Sequence, residues 1–161
     1  HFEDMVELIH NSLPKNAGIV RIHVAGDFFN QDYLHAWYIV ALRNPRILFY
    51  AYTKSLRFWV GDMTEMPDLW NFVLTASYGG RDDHMIDEFN LRSAKVVFSE
   101  AEAEELGLAI DHDDSHAAKP TLRDDSFALL IHGTQPAGSE ASTALKKLKG
   151  KGSYSRKRIK V

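Results

Sequence analysis

The sequence of 161 residues contains no cysteine, and this absence excludes several classes of site. Without a thiol the chain forms no disulfide and offers no thiolate to zinc or to an iron–sulfur cluster. It also lacks a signal-peptide pattern and any apolar run near the roughly 20 residues that cross a bilayer. With 45% hydrophobic and 25% charged residues, the composition is typical of a soluble globular domain, which we expect to be cytoplasmic.

Acidic residues are absent from the end of the chain. Residues 141–161 contain eight basic and no acidic residues, whereas the first 140 residues hold 11 basic against 22 acidic ones. We therefore predict an α/β domain over residues 1–135 and a flexible, basic, low-complexity tail over residues 136–161, dispensable for folding. The basic residues are Lys146, Lys147, Lys149, Lys151, Arg156, Lys157, Arg158 and Lys160. Binding to nucleic acid, docking on an acidic protein surface and a solvated, unbound tail are all open interpretations.

The pattern around which the fold is built runs from residue 19 to residue 54. Ile19–Val24 is an apolar run rich in β-branched residues, which predicts a buried strand. A helical pattern then begins after Asn30, a good N-cap, and ends before Pro45. A second apolar run, Ile47–Tyr52, follows at once. Strand, helix and strand in this order predict two parallel neighbouring strands.

The rest of the chain continues the alternation of strands and helices. Further strands are predicted at Asn71–Ser77, Ala94–Phe98 and Ser126–His132. Helices are predicted at His1–Leu13 and after the N-cap Ser99, and a loop is predicted over Ala109–Pro120. The predicted fold class is α/β, with a mostly parallel sheet of four to five strands in repeated βα units, arranged like a partial barrel. The first three strands are expected to be adjacent and parallel.

Polar side chains follow the strands at the edge where ligand sites of parallel sheets lie. We expect five of them to share one concavity: His23, Asp27, Tyr52, Lys54 and Tyr78. Lys54 is suited to bind a phosphate or carboxylate, or to act as a base if desolvation lowers its pKa. An ion pair of Lys54 with Asp27 or Asp83, a core role for His23 and a plain turn role for Asp27 are the competing interpretations.

Two clusters combine carboxylates with imidazoles. They are Asp82, Asp83, His84 and Asp87, and His112, Asp113, Asp114 and His116. Such residues bind divalent ions when a fold brings them together, but both segments have loop character and no defined ligand geometry. We therefore favour solvated acidic loops and predict no metal site, while Asp83 and His84 remain candidates for ligand binding.

Several strings resemble a known family. They are residues 21–23 with 26–29, Tyr33-Leu34 with Trp37, residues 49–54, and residues 78–80 with 83–84 and 86–87. Together they resemble the phage "gene product 88" family of mycobacteriophages and some bacteria over roughly Phe2–Phe98. This resemblance implies a phage accessory protein, which we expect to act by binding a host protein or nucleic acid in the host cytoplasm.

The same resemblance implies an alternative. Members of the family usually carry an upstream cysteine-bearing segment, similar to the cluster loop of radical S-adenosylmethionine enzymes, and Gly26-Asp27 would then lie where those enzymes hold the cofactor's amino group. The alternative is thus an enzyme-like βα partial barrel with its site at Asp27, Lys54 and Tyr78. An iron–sulfur cluster and S-adenosylmethionine are expected only if such a segment precedes His1; in this chain we expect no cofactor.

Overall fold

The computed structural model describes residues 1–155, which fall into two compact units. Unit 1 is His1–Arg92, and unit 2 begins at Ser93. Each unit alternates strands with helices, and every strand pair described within a unit is parallel, which confirms the α/β class. Within residues 1–155, no helix combines the length and the apolarity that crossing a membrane requires. Arg156, Lys157, Arg158 and Lys160 lie outside the described residues.

Unit 1 contains four helices and three strands. In chain order they are α1 (Phe2–Ser12), β1 (Ile19–Arg21), α2 (Gln31–Arg43), β2 (Leu48–Thr53), α3 (Leu56–Asp62), β3 (Phe72–Ser77) and α4 (His84–Glu88). β2 lies between β1 and β3 and is parallel to both, so the prediction for the first three strands is confirmed. Asn30 caps α2 as expected, since its side chain accepts a hydrogen bond from the backbone N–H of Tyr33 at 2.8 Å.

The first strand differs from the prediction of a buried strand over Ile19–Val24. β1 is only three residues long, and Ile19 is 62% and Val24 87% exposed. The reason is position: within unit 1, β1 pairs with β2 alone and so lies at an edge. An apolar run shows that a strand is favourable, but it does not show which strand lies at an edge.

A buried asparagine ties α2 to the strands that follow it. The side-chain amide of Asn71 lies within 2.9, 3.1 and 3.0 Å of the carbonyl oxygens of Ala41, Asn44 and Ile47, respectively, and donates to them. These carbonyls belong to the end of α2 and the segment before β2, where no further helical turn supplies backbone N–H donors. Asn71 is 2% exposed, so the starts of β2 and β3 are fixed from within the core.

Unit 2 contains three helices, three strands and a short 3₁₀ turn among its described residues. In chain order the helices and strands are β4 (Ser93–Val97), α5 (Glu100–Glu105), β5 (Ala109–Asp111), α6 (Ser115–Ala118), β6 (Phe127–Leu130) and α7 (Glu140–Lys147). β6 pairs with both β4 and β5. The loop predicted over residues 109–120 is wrong, because this stretch forms β5 and α6. The six strands of residues 1–155 therefore exceed the four or five predicted.

The segment predicted as a flexible tail is folded in part. It forms α7, and beyond that helix Gly152 and Ser153 are buried. The Ser153 hydroxyl donates to the carbonyl of Asp111 at 2.5 Å and accepts from the backbone N–H of Leu130 at 2.9 Å. Ser153 thus bridges the ends of β5 and β6. Ser153 packs here through hydrogen bonds from its side chain to backbone groups, which leave no apolar pattern in the sequence.

Candidate functional site

Asp27 joins the loop after β1 to the end of β2. Its Oδ1 atom accepts hydrogen bonds from the Phe28 backbone N–H at 2.7 Å and from the Thr53 hydroxyl at 2.6 Å. Its Oδ2 atom accepts from the backbone N–H of Lys54 at 2.6 Å. Gly26, with φ at +87°, turns the chain just before this carboxylate. Asp27 is therefore a positioning residue that fixes where Lys54 leaves β2.

A second set of hydrogen bonds reinforces this junction. The Ser55 hydroxyl donates to the carbonyl of Phe28 at 2.7 Å, and the Ser55 backbone N–H donates to the Thr53 hydroxyl at 3.0 Å. Phe28 is 2% and Thr53 1% exposed, so the junction is anchored in the core. Since the backbones on both sides are fixed, the Lys54 side chain starts from a defined position.

The ammonium group of Lys54 reaches the loop after β3. Its Nζ donates to the Tyr78 carbonyl at 3.0 Å. Gly79 has a φ of +97°, which favours glycine, and a Cβ there would lie 2.9 Å from this nitrogen and displace the lysine side chain. The expected meeting of Asp27, Lys54 and Tyr78 does occur, but Asp27 contributes through the Lys54 backbone and Tyr78 through its carbonyl. The expected ion pair with Asp27 is replaced by a backbone hydrogen bond.

Asp83 shapes the loop rather than facing a ligand. Its two carboxylate oxygens accept hydrogen bonds from the backbone N–H groups of Gly79 and Gly80, each at 2.9 Å. His84 begins α4 with an exposed side chain. Of these two sequence-predicted candidates, Asp83 therefore holds the turn under Lys54, and His84 lies outside the cleft described next.

An open cleft of about 380 Å³ lies beside these loops within unit 1. It is lined by three aromatic residues (Phe28, Phe29, Phe58), three cations (Lys54, Arg57, Arg81), Ser55, Gly80 and Asp82. The lining thus carries three positive charges and one carboxylate. Asp82 pairs with Arg57, whose Nε lies 3.0 Å from Asp82 Oδ2. The balance of charge and the apolar wall suit an anion attached to an apolar or planar group.

Sequence reasoning missed Arg57 and Arg81. Arg57 lies in the first turn of α3, directly after β2, and Arg81 follows the glycine pair after β3. Both side chains are exposed. The rule that sites follow strands would have found both, had it been extended four residues beyond the ends of β2 and β3.

Of the five residues expected to share one concavity, only Lys54 lines the cleft; His23, Asp27, Tyr52 and Tyr78 do not. His23 Nε2 lies 3.3 Å from the Tyr33 hydroxyl, and its ring packs edge-on against Phe28 with centroids 4.8 Å apart. Burial lowers the pKa of His23, and the nearby Asp27 carboxylate opposes that shift. The Arg21 guanidinium lies over the Tyr52 ring, 5.2 Å from its centroid. His23 and Tyr52 therefore pack against other side chains of unit 1 and do not line the cleft.

A family model supplies the comparison that decides the relationship. The model described as Gene product 88 matches residues 1–149, which include the whole of unit 1, its cleft, and α7. The chain belongs to the gene product 88 family. This confirms the resemblance to the phage gene-product family. No curated protein and no solved structure matches the chain. The resemblance to radical S-adenosylmethionine enzymes finds no support in these comparisons.

In this member of the gene product 88 family, the acidic cluster of unit 2 has its own hydrogen-bond partners. The buried Asp111 carboxylate accepts from the backbone N–H groups of Asp113, Ser115 and His116, at 3.1, 3.1 and 2.9 Å. The Tyr154 hydroxyl donates to Asp114. Among residues 1–155, no three His, Asp or Glu side chains converge in a way that would hold a metal ion.

Four of the predicted basic residues lie in the described part of the C-terminal segment. They are Lys146 and Lys147 at the end of α7, and Lys149 and Lys151 just beyond it, and all four side chains are exposed. The packing of Ser153 against β5 and β6 holds the chain just after this group. Unit 2 therefore presents these four cations from a folded segment.

Proposed function

We propose that this phage protein acts by binding, and that its principal site is the cleft of unit 1, which takes a small ligand carrying a phosphate or carboxylate. The observation that carries this proposal is the Lys54 ammonium, held at 3.0 Å by the Tyr78 carbonyl beside Arg57 and Arg81. One hydrogen bond leaves two ammonium protons for a ligand. Arg81 adds a guanidinium group whose geometry matches phosphate and carboxylate. Arg57 adds a positive charge, although its Nε and Nη2 already donate to Asp82.

The lining chemistry supports binding rather than turnover. The Ser55 hydroxyl already donates to the Phe28 carbonyl. Among the described residues that line the cleft, no histidine is present to activate this hydroxyl as a nucleophile. Asp27, the carboxylate of the enzyme-like alternative, is occupied by three hydrogen bonds from its own chain. These residues hold the site in place, which is what a preformed binding site requires.

Titration with pyrophosphate tests the proposal. Amide resonances of Lys54, Gly80 and Arg81 should shift on addition of pyrophosphate, followed by heteronuclear NMR of the intact chain. Replacing Arg81 with Gln should weaken binding by about tenfold or more, since a hydrogen bond to a charged group is worth roughly 1.5–3 kcal/mol. Arg46 is an exposed arginine of unit 1 that does not line the cleft, so Arg46→Gln is the matched control and should leave the affinity unchanged. Equal affinities for the wild type and Arg81→Gln would contradict the proposal.

We also propose, as a second function, that the basic C-terminal segment attaches the protein to nucleic acid in the host cytoplasm. The supporting observation is that four exposed lysines, Lys146, Lys147, Lys149 and Lys151, lie within residues 141–161, which contain no acidic residue. Counterion release makes such attachment steeply dependent on salt, with a slope of at most about −7 for eight cations on duplex DNA.

The test compares the intact chain with a variant in which those four lysines are Gln. Retention on duplex DNA of arbitrary sequence is measured between about 50 and 300 mM salt, the range in which such contacts are lost. The variant should show weaker retention and a shallower slope, with an unchanged melting temperature. Retention by neither form would exclude the nucleic-acid role, and retention only on an acidic host protein would assign the segment to protein docking instead.

A further inference from the structure

Phe29 is a large aromatic side chain that the fold holds at the surface. It is 66% exposed, yet its ring stacks on Tyr33 with centroids 4.5 Å apart and planes 21° apart. Tyr33 belongs to α2 and is itself held by the hydrogen bond to His23 Nε2 at 3.3 Å. The ring of Phe29 is thus fixed on one face and open on the other, and it lines the cleft.

The cleft combines this fixed ring with the three cations. Phe28 and Phe58 continue the aromatic wall, while Lys54, Arg57 and Arg81 supply the positive charge. The volume of about 380 Å³ falls within the roughly 300–1,000 Å³ of small-molecule sites. A free inorganic anion would use the cations and leave the aromatic wall uncovered. A ligand with a planar ring at one end and an anion at the other would use both.

We propose that the ligand is a nucleoside phosphate, whose base stacks on Phe29 and whose phosphate is bound by Lys54, Arg57 and Arg81. This inference rests on the proposed function of the same cleft. Stacking on an aromatic side chain accepts any base, since every base has a π-face. Among the cleft-lining residues described, no Asn or Gln side chain is present to read a base edge. Affinity should therefore depend on the presence of a base more than on which base it is.

Calorimetric titration of the intact chain with three probes tests the inference. Adenosine 5′-monophosphate should bind about 5- to 150-fold more tightly than ribose 5-phosphate, the range that base stacking confers, and adenosine should bind more weakly than the monophosphate. Phe29→Ala should bring the monophosphate down to the affinity of ribose 5-phosphate and leave ribose 5-phosphate unchanged. Because Phe29 is largely exposed, this variant should fold.

Phe89→Ala, an exposed phenylalanine of unit 1 that does not line the cleft, is the matched control and should bind all three probes like the wild type. Equal affinity for the monophosphate and ribose 5-phosphate would overturn the inference and leave the anion site standing. Loss of tight binding in Phe89→Ala as well would also overturn it. If neither phosphate bound, the proposed function itself would fail.

Discussion

Replacing Asp27 tests whether this carboxylate holds the cleft together. Asp27→Asn keeps one oxygen for the Phe28 N–H and the Thr53 hydroxyl, but it turns an amide donor toward the Lys54 N–H. One hydrogen bond to a charged group is lost, so unit 1 should lose about 1.5–3 kcal/mol of its free energy of unfolding. Asp27→Ala removes all three bonds, and we expect the free energy of unfolding to fall by about 3–5 kcal/mol. This is less than three times the value of one bond, because the exposed Lys54 backbone N–H can hydrogen-bond to water instead.

Urea unfolding followed by tryptophan fluorescence measures this loss. The three tryptophans, Trp37, Trp59 and Trp70, all belong to unit 1, so the signal reports that unit. Glu88→Gln changes an exposed carboxylate at the end of α4 and should stay within about 0.5 kcal/mol of the wild type, as surface substitutions do. If Asp27→Ala also stayed within that margin, the positioning role of Asp27 would be refuted.

Three further predictions concern two glycines and the pKa of His23. Gly79→Ala should cost about 1–2 kcal/mol because its φ is +97°, and it should weaken pyrophosphate binding because the new methyl would lie 2.9 Å from Lys54 Nζ. Gly152→Ala should destabilise unit 2, since its Cβ would lie close to the Ile131 carbonyl oxygen; hydrogen exchange of the β5 and β6 amides is the measurement. Burial lowers the pKa of His23, so near the ordinary pKa of 6.5 the unfolded chain binds more protons than the folded one. The stability of unit 1 should therefore fall as the pH drops through 6.5. Urea unfolding at about pH 7.5 and 5.5 measures this fall, which His23→Gln should reduce.

Matched controls exist for each of these changes. Gly18→Ala places a methyl where nothing lies within 4 Å and should leave stability and binding nearly unchanged. His84→Gln removes an exposed histidine and should keep the pH dependence of the wild type. Wild-type pyrophosphate affinity in Gly79→Ala, unchanged exchange in Gly152→Ala, or a pH dependence untouched by His23→Gln would each contradict the corresponding prediction.

The folded C-terminal segment changes the expectation for truncation. A flexible tail would be dispensable for folding, but Ser153 bridges the ends of β5 and β6. Removing residues 149–161 should therefore speed hydrogen exchange in both strands. Exchange equal to that of the full chain would show that the segment contributes no stability to unit 2.

The sequence predicted the βαβ core because several independent signals agree there. The Asn30 cap, the helical spacing after it and the apolar run of β2 all point to the same elements, and the structure contains them. It did not predict the exposure of β1 or the presence of β5, because an edge position depends on distant pairing and a three-residue strand leaves almost no pattern.

The candidate site was predictable to a similar degree. The strand-end rule placed Asp27 and Lys54 together, and the structure joins them by a hydrogen bond of 2.6 Å. It could not show that Tyr78 contributes its carbonyl, since any residue has one. Arg57 and Arg81 were missed because their place in the cleft depends on the paths of two loops. Asp83 and the glycine pair shape the loop that carries Arg81, and hydrogen bonds to the Lys54 and Ser55 backbones hold the segment that leads to Arg57.

A crystal structure of the chain grown with tungstate, a heavy oxyanion, tests the central claim most directly. The account predicts an anomalous-scattering peak in the cleft, within about 4 Å of Lys54 Nζ and of a guanidinium nitrogen of Arg57 or Arg81, the range of a direct ion pair. Lys54→Met crystals grown in the same way should lose that peak. A cleft without tungstate in wild-type crystals, at a concentration that labels other surface cations, would contradict the account.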